Sequence, residues 1–340
     1  MRIHVRKYAA LFTLALLLSG CAGRTELQKY EKQMLYFDTV ISISFYAGEN
    51  GDRLMEHCAQ MCSGYEKIFS RTDGASELYA VNHRTAQKVK VSPEIAELVT
   101  VGLEYYEKSA GKFDITVAPL SDLWDFKSET PSVPADEEVK EAAAAVDASK
   151  VHLEGDMLVF DSEQTMLDLG ALAKGYAADR LKEYLESEGV RSGLIDLGGN
   201  ILTIGTRPDG EKWRIGIQKP FAGRGETAEV VEIADQTVVS SGTYERYFEK
   251  DGKLYHHILD PDTGYPADTD IQSISVICDS SLMGDAVSTT CLALGSQKAE
   301  ELIRGLEGVR AVMILEDGET VHVEKDGDGG TAHTAGSEDE

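Results

Sequence analysis

Apolar and polar residues alternate along residues 34–48, MLYFDTVISISFYAG, and this period of two predicts a single β-strand. In residues 52–69 and 92–111 the apolar residues instead recur every three or four positions, which predicts two amphipathic helices. The second helix has clear boundary signals, since Ser92 suits its N-cap and Gly111 its end. The same patterns predict a helix at 135–146, short strands within 151–169 and a helix at 171–188.

The second half of the chain is rich in β-branched and aromatic residues, which favour strands. Seven segments carry this bias: 192–199, 200–205, 213–218, 228–234, 237–242, 253–259 and 271–278. Two helices, at 280–294 and 297–305, are predicted before a last strand pair around 309–323. Because the strands come in runs and do not alternate strictly with helices, we expect an α+β fold with antiparallel-rich sheets packed against helices.

Residues 1–20 have the proportions of an export signal. Arg2, Arg6 and Lys7 precede an apolar run that is too short for a comfortable transmembrane helix. The LSGC that follows is similar to a lipobox, in which Cys21 becomes the lipidated first residue of the mature protein. An ordinary secretory signal with an incidental cysteine is the alternative. Lipidation predicts a protein tethered to the extracytoplasmic face of the cell membrane.

Composition divides the remaining chain into a linker at 21–34, one domain at 35–323, and a polar, Gly-rich tail at 324–340 that we expect to be disordered. The 340 residues are 42% hydrophobic, which is enough for a proper core. A formal net charge of −26 argues against nucleic acid as a partner. Any anionic ligand must therefore be bound by local devices, such as a metal, a helix N-terminus or a single lysine.

Four further cysteines follow Cys21. Cys58 and Cys62 are one helical turn apart, and Cys278 and Cys291 lie in the second half. No second Cys or His pair follows at the spacing of a zinc site, so buried core cysteines are the favoured interpretation. A disulfide is permitted outside the cytoplasm, but the sequence does not identify one.

The stretch DLGALAKGYAAD, residues 168–179, is predicted to be a strand, a tight turn and the start of a helix. Helix N-termini expose unpaired N–H groups that suit phosphates, and Gly170 and Gly175 would let the backbone approach a ligand closely. Lys174 could supply a cation, and Asp168 could accept hydrogen bonds from a ligand. A plain connection with solvated charges is the alternative, and the spacing excludes a P-loop.

Asp285 and Thr289 are four residues apart, so they share one face of the predicted helix. A carboxylate and a hydroxyl at this spacing can both reach a hard cation such as Mg²⁺. The alternative is a solvated, surface-exposed Asp285 in the first turn, with Thr289 facing the core.

Adjacent histidines, His256 and His257, precede a Pro-Asp-Thr-Gly turn. They cannot both face the same side of a strand. One of them is a candidate acid, base or phosphate contact, and one that points into solvent is the alternative.

In this order, these stretches resemble the ApbE-type FAD:protein FMN transferases. The resemblance covers residues 34–323. It is carried by FDTVISI, FSRTDGASELYAVN, GKFDITVAPLSDLW, DLGALAKGYAAD, LIDLGGN, SSGTYERYF, HHILDPDTG and GDAVSTT. Phe37 and Asp38 stand where many members have Met-Gly. The resemblance implies the T-fold-like version of an α+β fold.

The resemblance also implies roles for particular residues. Contacts to FAD would come from Phe37, Thr72, Lys112, Phe113, Asp114, Asp168, Lys174 and Leu259. Mg²⁺ would be held by Asp285, Thr289 and the main-chain carbonyl of Ala171. His257 matches the histidine of the family and is the first choice to accept a proton, with Asp285 as the second catalytic residue.

The implied activity is Mg²⁺-dependent transfer of the FMN moiety of FAD onto a Ser or Thr hydroxyl, with release of AMP. The acceptors would be extracytoplasmic flavoproteins with FMN-binding domains. Two alternatives stay open: a metal-dependent FAD pyrophosphatase that gives FMN and AMP, and a flavin-binding lipoprotein without catalysis.

Overall fold

The computed structural model of the protein describes residues 27–223 and 225–325. The predicted signal segment 1–20, Cys21 and residues 326–340 of the predicted tail lie outside the described residues. Among the helices of the described ranges, none has the length and apolarity needed to span a bilayer.

An eight-stranded antiparallel sheet forms the centre of the fold, with the strand order β1-β2-β6-β7-β10-β13-β14-β15. Its strands are β1 (Gln28–Tyr36), β2 (Thr39–Ala47), β6 (Ser192–Asp196), β7 (Asn200–Gly205), β10 (Thr237–Gly242), β13 (Ile271–Cys278), β14 (Arg310–Leu315) and β15 (Thr320–Glu324). Three smaller sheets pair β3 (Lys88–Lys90) with β5 (Met157–Phe160) and β4 (Val151–Glu154), β8 (Trp213–Gln218) with β9 (Thr227–Ile233), and β11 (Tyr247–Lys250) with β12 (Lys253–His256).

Helices cover one face of the large sheet, and the β8–β9 ribbon covers part of the other. The helices are α1 (Gly51–Phe69), α2 (Glu77–Asn82), α3 (Pro93–Lys108), α4 (Ala118–Trp124), α5 (Asp136–Ala143), α6 (Gly170–Ser187), α7 (Ser281–Leu294) and α8 (Ser296–Arg304). Residues on opposite faces of β13 pack against the two layers. Ile274 packs towards α7, and Ile277 packs towards the β8–β9 ribbon. The predicted α+β class with antiparallel sheets is confirmed.

The N-terminal segment is a hairpin, so two of our predictions are wrong there. The single strand predicted at 34–48 is broken by a two-residue turn at Phe37 and Asp38, whose φ angles are 54° and 56°. The linker predicted to reach residue 34 ends earlier, because β1 begins at Gln28. Left-handed backbone at both central residues is the geometry of a type I′ turn, which usually has Asn-Gly. Phe37-Asp38 lacks that turn signal, and the alternation of apolar and polar residues continues through it. The sequence pattern therefore predicted one strand.

Most helix predictions agree with the structure to within a few residues, including those for α1, α3, α6, α7 and α8. The short helices α2 and α4 were not predicted. Strand β15 continues to Glu324, so the predicted tail begins too early by at least one residue. The interpretation of Cys58 and Cys62 as core residues is confirmed, since both are buried. All four later cysteines are buried and free of disulfides.

Helices α6 and α7 come unusually close at Gly175. A Cβ atom at this position would lie 2.6 Å from the Leu282 Cα and from the Ser281 carbonyl carbon, and both are backbone atoms. We therefore expect Gly175→Ala to lower the free energy of unfolding by about 1–3 kcal/mol, because the two helices must separate. Thermal unfolding monitored by circular dichroism measures this effect.

Gly64 in α1 provides the control, since a Cβ there meets nothing within 4 Å. Gly64→Ala should leave the melting temperature unchanged or raise it, because alanine has the higher helix propensity. If the two variants melted alike, the close helix contact would not matter for stability.

Candidate active site

A cleft of about 1000 Å³ lies between the turn of the β1–β2 hairpin, the start of α6, helix α7 and the loop after β12. It is lined by all twelve site residues that were predicted within the described ranges: Phe37, Thr72, Lys112, Phe113, Asp114, Asp168, Ala171, Lys174, His257, Leu259, Asp285 and Thr289. Segments distant in sequence thus meet at one place. Their individual roles stay predictions.

Asp285 lies at the base of the cleft and is only 4% exposed. Its Oδ2 accepts a hydrogen bond of 2.6 Å from the backbone N–H of Gly175. The alternative of a solvated carboxylate on the first turn is wrong, because α7 is packed between α6 and strands β10 and β13. Burial raises the pKa of Asp285 to about 6, against the opposing effects of the Lys174 charge and the Gly175 N–H.

Two polar residues behind Asp285 fix the start of α7. The carboxylate of Asp179 accepts hydrogen bonds from the backbone N–H groups of Ser281 at 2.8 Å and Leu282 at 3.0 Å. Asn200 is fully buried and accepts a hydrogen bond from the Ser281 hydroxyl through its Oδ1. Its Nδ2 has no hydrogen-bond partner among residues 27–223 and 225–325, yet the amide is close enough to lower the pKa of Asp285. These contacts hold the carboxylate in place.

All three donors of the predicted metal site are oxygen atoms. Asp285 and Thr289 lie one helical turn apart on α7, and Ala171 lies in the first turn of α6. A carboxylate, a hydroxyl and a carbonyl are the hard donors that Mg²⁺ prefers. No group of three or more His, Cys, Asp or Glu side chains within residues 27–223 and 225–325 could hold a metal. The donor set therefore fits an ion that takes its remaining ligands from substrate phosphate and water.

His257 lies at the cleft wall, directly after β12, and its buried Nδ1 has no hydrogen-bond partner in the described part of the chain. Burial lowers the pKa of His257 to about 3, and the charges of Arg246 and Lys174 add to the effect. The imidazole is therefore neutral at physiological pH. His256 is buried, so the alternative of a solvent-facing member of the pair does not hold for it.

Several charged residues of the cleft are already paired with other side chains. The Lys112 Nζ lies 2.8 Å from Asp260 and 2.8 Å from Asp262, and the Arg71 Nε lies 3.0 Å from Asp168. The Lys174 Nζ, in contrast, donates a hydrogen bond to the Gly198 carbonyl oxygen at 3.4 Å and has no carboxylate within 4 Å among the described residues. Lys174 is therefore better placed than Lys112 to receive an anion.

The carboxylate of Asp114 forms hydrogen bonds within the protein. One oxygen accepts hydrogen bonds of 2.6 Å from the Thr116 N–H and hydroxyl, and the other accepts one of 3.0 Å from the Ala148 N–H. Burial raises the pKa of Asp114. These bonds give the side chain a structural task at the cleft wall, beside any contact that it makes with a ligand.

Sequence reasoning missed Arg71, Asp179, Asn200 and Arg246, although each belongs to one of the quoted motifs. The sequence shows that these four side chains are charged or can form hydrogen bonds, but it does not show which residues they contact. Asp179, for example, contacts a segment about one hundred residues later. Only the folded chain shows such pairings.

Comparison with known proteins agrees with this geometry. Residues 37–313 match the ApbE family. FAD:protein FMN transferases from Treponema pallidum and Klebsiella pneumoniae are 32% and 34% identical to the chain, covering 88% and 85% of it and 88% and 90% of their own lengths. The crystal structure of the ApbE protein from Thermotoga maritima superimposes with a TM-score of 0.80 at 29% identity, over 87% of this chain and 97% of that one.

Fold, cleft and relatives together define an enzyme of the transferase class. The chain belongs to the ApbE family.

Proposed function

We propose that this protein is an Mg²⁺-dependent FAD:protein FMN transferase that acts on Ser or Thr hydroxyls of extracytoplasmic acceptor proteins and releases AMP. The observation that carries the proposal is Asp285, a buried carboxylate held by the Gly175 N–H at the base of a large cleft. The curated relatives bear the name of this activity. A protein of net charge −26 can bind a diphosphate there because the positive field is local.

The residues that would hold the metal are Asp285, Thr289 and Ala171. When bound there, Mg²⁺ neutralises charge on the diphosphate and on the departing phosphate. The Gly175 N–H orients the Asp285 carboxylate, and the ammonium of Lys174 adds positive charge near it.

The reaction exchanges one P–O bond for another. The acceptor hydroxyl oxygen attacks the phosphorus on the flavin side of FAD, the bond to the AMP phosphate breaks, and AMP leaves. The neutral imidazole of His257 accepts the hydroxyl proton as the new phosphoester bond forms. Most of the catalytic effect then comes from positioning and charge neutralisation.

The flavin ring needs an apolar surface. Five Phe and Tyr residues line the cleft, and the two of them that were predicted to contact FAD are Phe37 and Phe113. Phe113 is only 4% exposed and packs edge-on against Tyr105, so it contributes mainly to the core. Phe37 is partly exposed in the turn of the β1–β2 hairpin. We therefore assign the stacking contact to Phe37.

Location is proposed from the sequence pattern alone. A lipid on Cys21 would tether the domain to the extracytoplasmic face of the cell membrane, where acceptor flavoproteins are exposed. Mass spectrometry of the mature protein tests this, since Cys21→Ser should remove the lipid and release the protein from membranes.

A transfer assay tests the activity. The protein is incubated with FAD, Mg²⁺ and an FMN-binding acceptor domain that carries a single reactive Thr. We expect the acceptor to gain the mass of one FMN and to become fluorescent, whereas the Thr→Val acceptor and a reaction with EDTA stay unlabelled. If FMN and AMP accumulate without labelling of the acceptor, the protein is a pyrophosphatase. If FAD binds and is never cleaved, it is a flavin-binding protein.

A further inference from the structure

Arg246 lies directly opposite His257 at the cleft wall. The pairing of β11 with β12 places Tyr247 against His256, and the His257 N–H donates to the Arg246 carbonyl oxygen at 3.1 Å, so the antiparallel pairing continues by one residue. Opposed residues of antiparallel strands have their side chains on the same face. Both Arg246 and His257 line the cleft.

The charge of Arg246 acts on groups from several elements. Next to burial, it is the largest influence that lowers the pKa of His257. It reinforces the hydrogen bond from Lys127 in lowering the pKa of Asp38, which lies in the turn of the β1–β2 hairpin. Its charge therefore reaches both the turn of the hairpin and the end of the strand that leads to His257.

Arg246 also differs from most cations of the cleft in having no carboxylate partner among the described residues. Three others are paired: Arg71 with Asp168 and Asp122, Lys112 with Asp260 and Asp262, and Lys127 with Asp38. Within residues 27–223 and 225–325, neither Arg246 nor Lys174 forms an ion pair with a carboxylate at 4 Å or less. A cationic side chain that lines a cleft without such a partner is available to an anionic ligand.

We propose that Arg246 is a second phosphate-binding cation of this site, and that its guanidinium contacts the oxygens of the flavin-side phosphate during transfer. The inference rests on the proposed function. His257 serves the hydroxyl that attacks this phosphorus, so the residue opposite His257 is placed at the same phosphate. The planar guanidinium matches two phosphate oxygens at once and donates hydrogen bonds without losing a proton. It stabilises charge on the group in transfer while AMP leaves.

Two substitutions of Arg246 test the proposal. Arg246→Gln should lower kcat for FMN transfer about 100-fold, as is typical when one preorganised donor to a developing charge is removed. Arg246→Lys should recover part of the loss, because lysine keeps the charge but not the two-pronged geometry. By fluorescence titration, Arg246→Gln should bind FAD about 10-fold more weakly and should bind riboflavin, which has no phosphate, as the wild type does.

Lys250→Gln is the matched control, since it removes one positive charge from the same hairpin and does not line the cleft. It should leave both kcat and FAD binding unchanged. The proposal is overturned if Arg246→Gln equals Lys250→Gln in both measurements, or if riboflavin binding weakens as much as FAD binding. A wild-type protein that never labels an acceptor would instead refute the proposed function, and the comparison of FAD with riboflavin would still decide the role of Arg246.

Discussion

Asp285→Asn should lower FMN transfer by about 1000-fold or more. The substitution keeps the size and one hydrogen-bond acceptor for the Gly175 N–H, but it removes the only carboxylate of the predicted metal site. Loss of charge neutralisation at a phosphoryl group amounts to several kcal/mol, which corresponds to at least three orders of magnitude in rate. Initial rates of acceptor labelling measured over a series of Mg²⁺ concentrations check this, because higher concentrations should not restore the rate.

The same substitution should not destabilise the metal-free protein. Burial raises the pKa of Asp285 from 3.8 to about 6, so above pH 6 the folded protein carries a charge that the unfolded chain solvates better. At 1.36 kcal/mol per pKa unit, the buried charge lowers the free energy of unfolding by about 3 kcal/mol. This destabilisation diminishes as the pH falls below 6 and is absent below 3.8. We therefore expect Asp285→Asn to melt at or above the wild-type temperature at pH 8 in EDTA.

Asp279→Asn is a suitable control, since Asp279 is exposed, lies just before α7 and does not line the cleft. It should keep both the rate and its dependence on Mg²⁺. A wild-type rate in Asp285→Asn would remove the metal site from the account. A large fall in its melting temperature would show that the carboxylate is a structural anchor.

His257→Gln should slow transfer by about 100- to 10 000-fold, the usual range for loss of a general base. The pKa of His257 is lowered to about 3, so the imidazole is already neutral at pH 5 and at pH 8. We therefore expect the variant to lose the same factor at both pH values. When Mg²⁺ is below saturation, the wild-type rate should fall as the pH drops towards 6, because protonation of Asp285 competes with metal binding.

His256→Gln controls for the neighbouring imidazole, which is buried and lies on the other side of the strand. After correction for any change in the folded fraction, its rate should match that of the wild type. A wild-type rate curve that follows an ionisation near pH 6.5 and disappears in His257→Gln would mean that His257 titrates normally. A small loss in His257→Gln would assign proton transfer to another group, such as Glu245.

The residues that the sequence singled out lie together in one cleft, but their surroundings were not foreseen. Asp285 and Thr289 were found because a spacing of four is a local property of a helix. Burial of Asp285 was not foreseen, because it depends on α7 packing against α6 at Gly175, about 110 residues away. Propensity and spacing contain no information about such long-range contacts.

Two other features show the same limit. The β1–β2 hairpin was read as a single strand, since Phe37 and Asp38 adopt left-handed backbone angles that neither residue favours. Arg246 was not singled out from the sequence, because only the hairpin of β11 and β12 places it opposite His257. Periodicity gives the elements, but the register between strands and the partners of charged residues require the three-dimensional structure.

The most direct test of the central claim is anomalous diffraction from crystals of the protein grown with FAD and Mn²⁺ in place of Mg²⁺. The account predicts one strong anomalous peak in contact with the Asp285 carboxylate and the Thr289 hydroxyl, with diphosphate oxygens of FAD bound to the same ion. A diphosphate bound elsewhere in the cleft, with no peak beside these two residues, would contradict it.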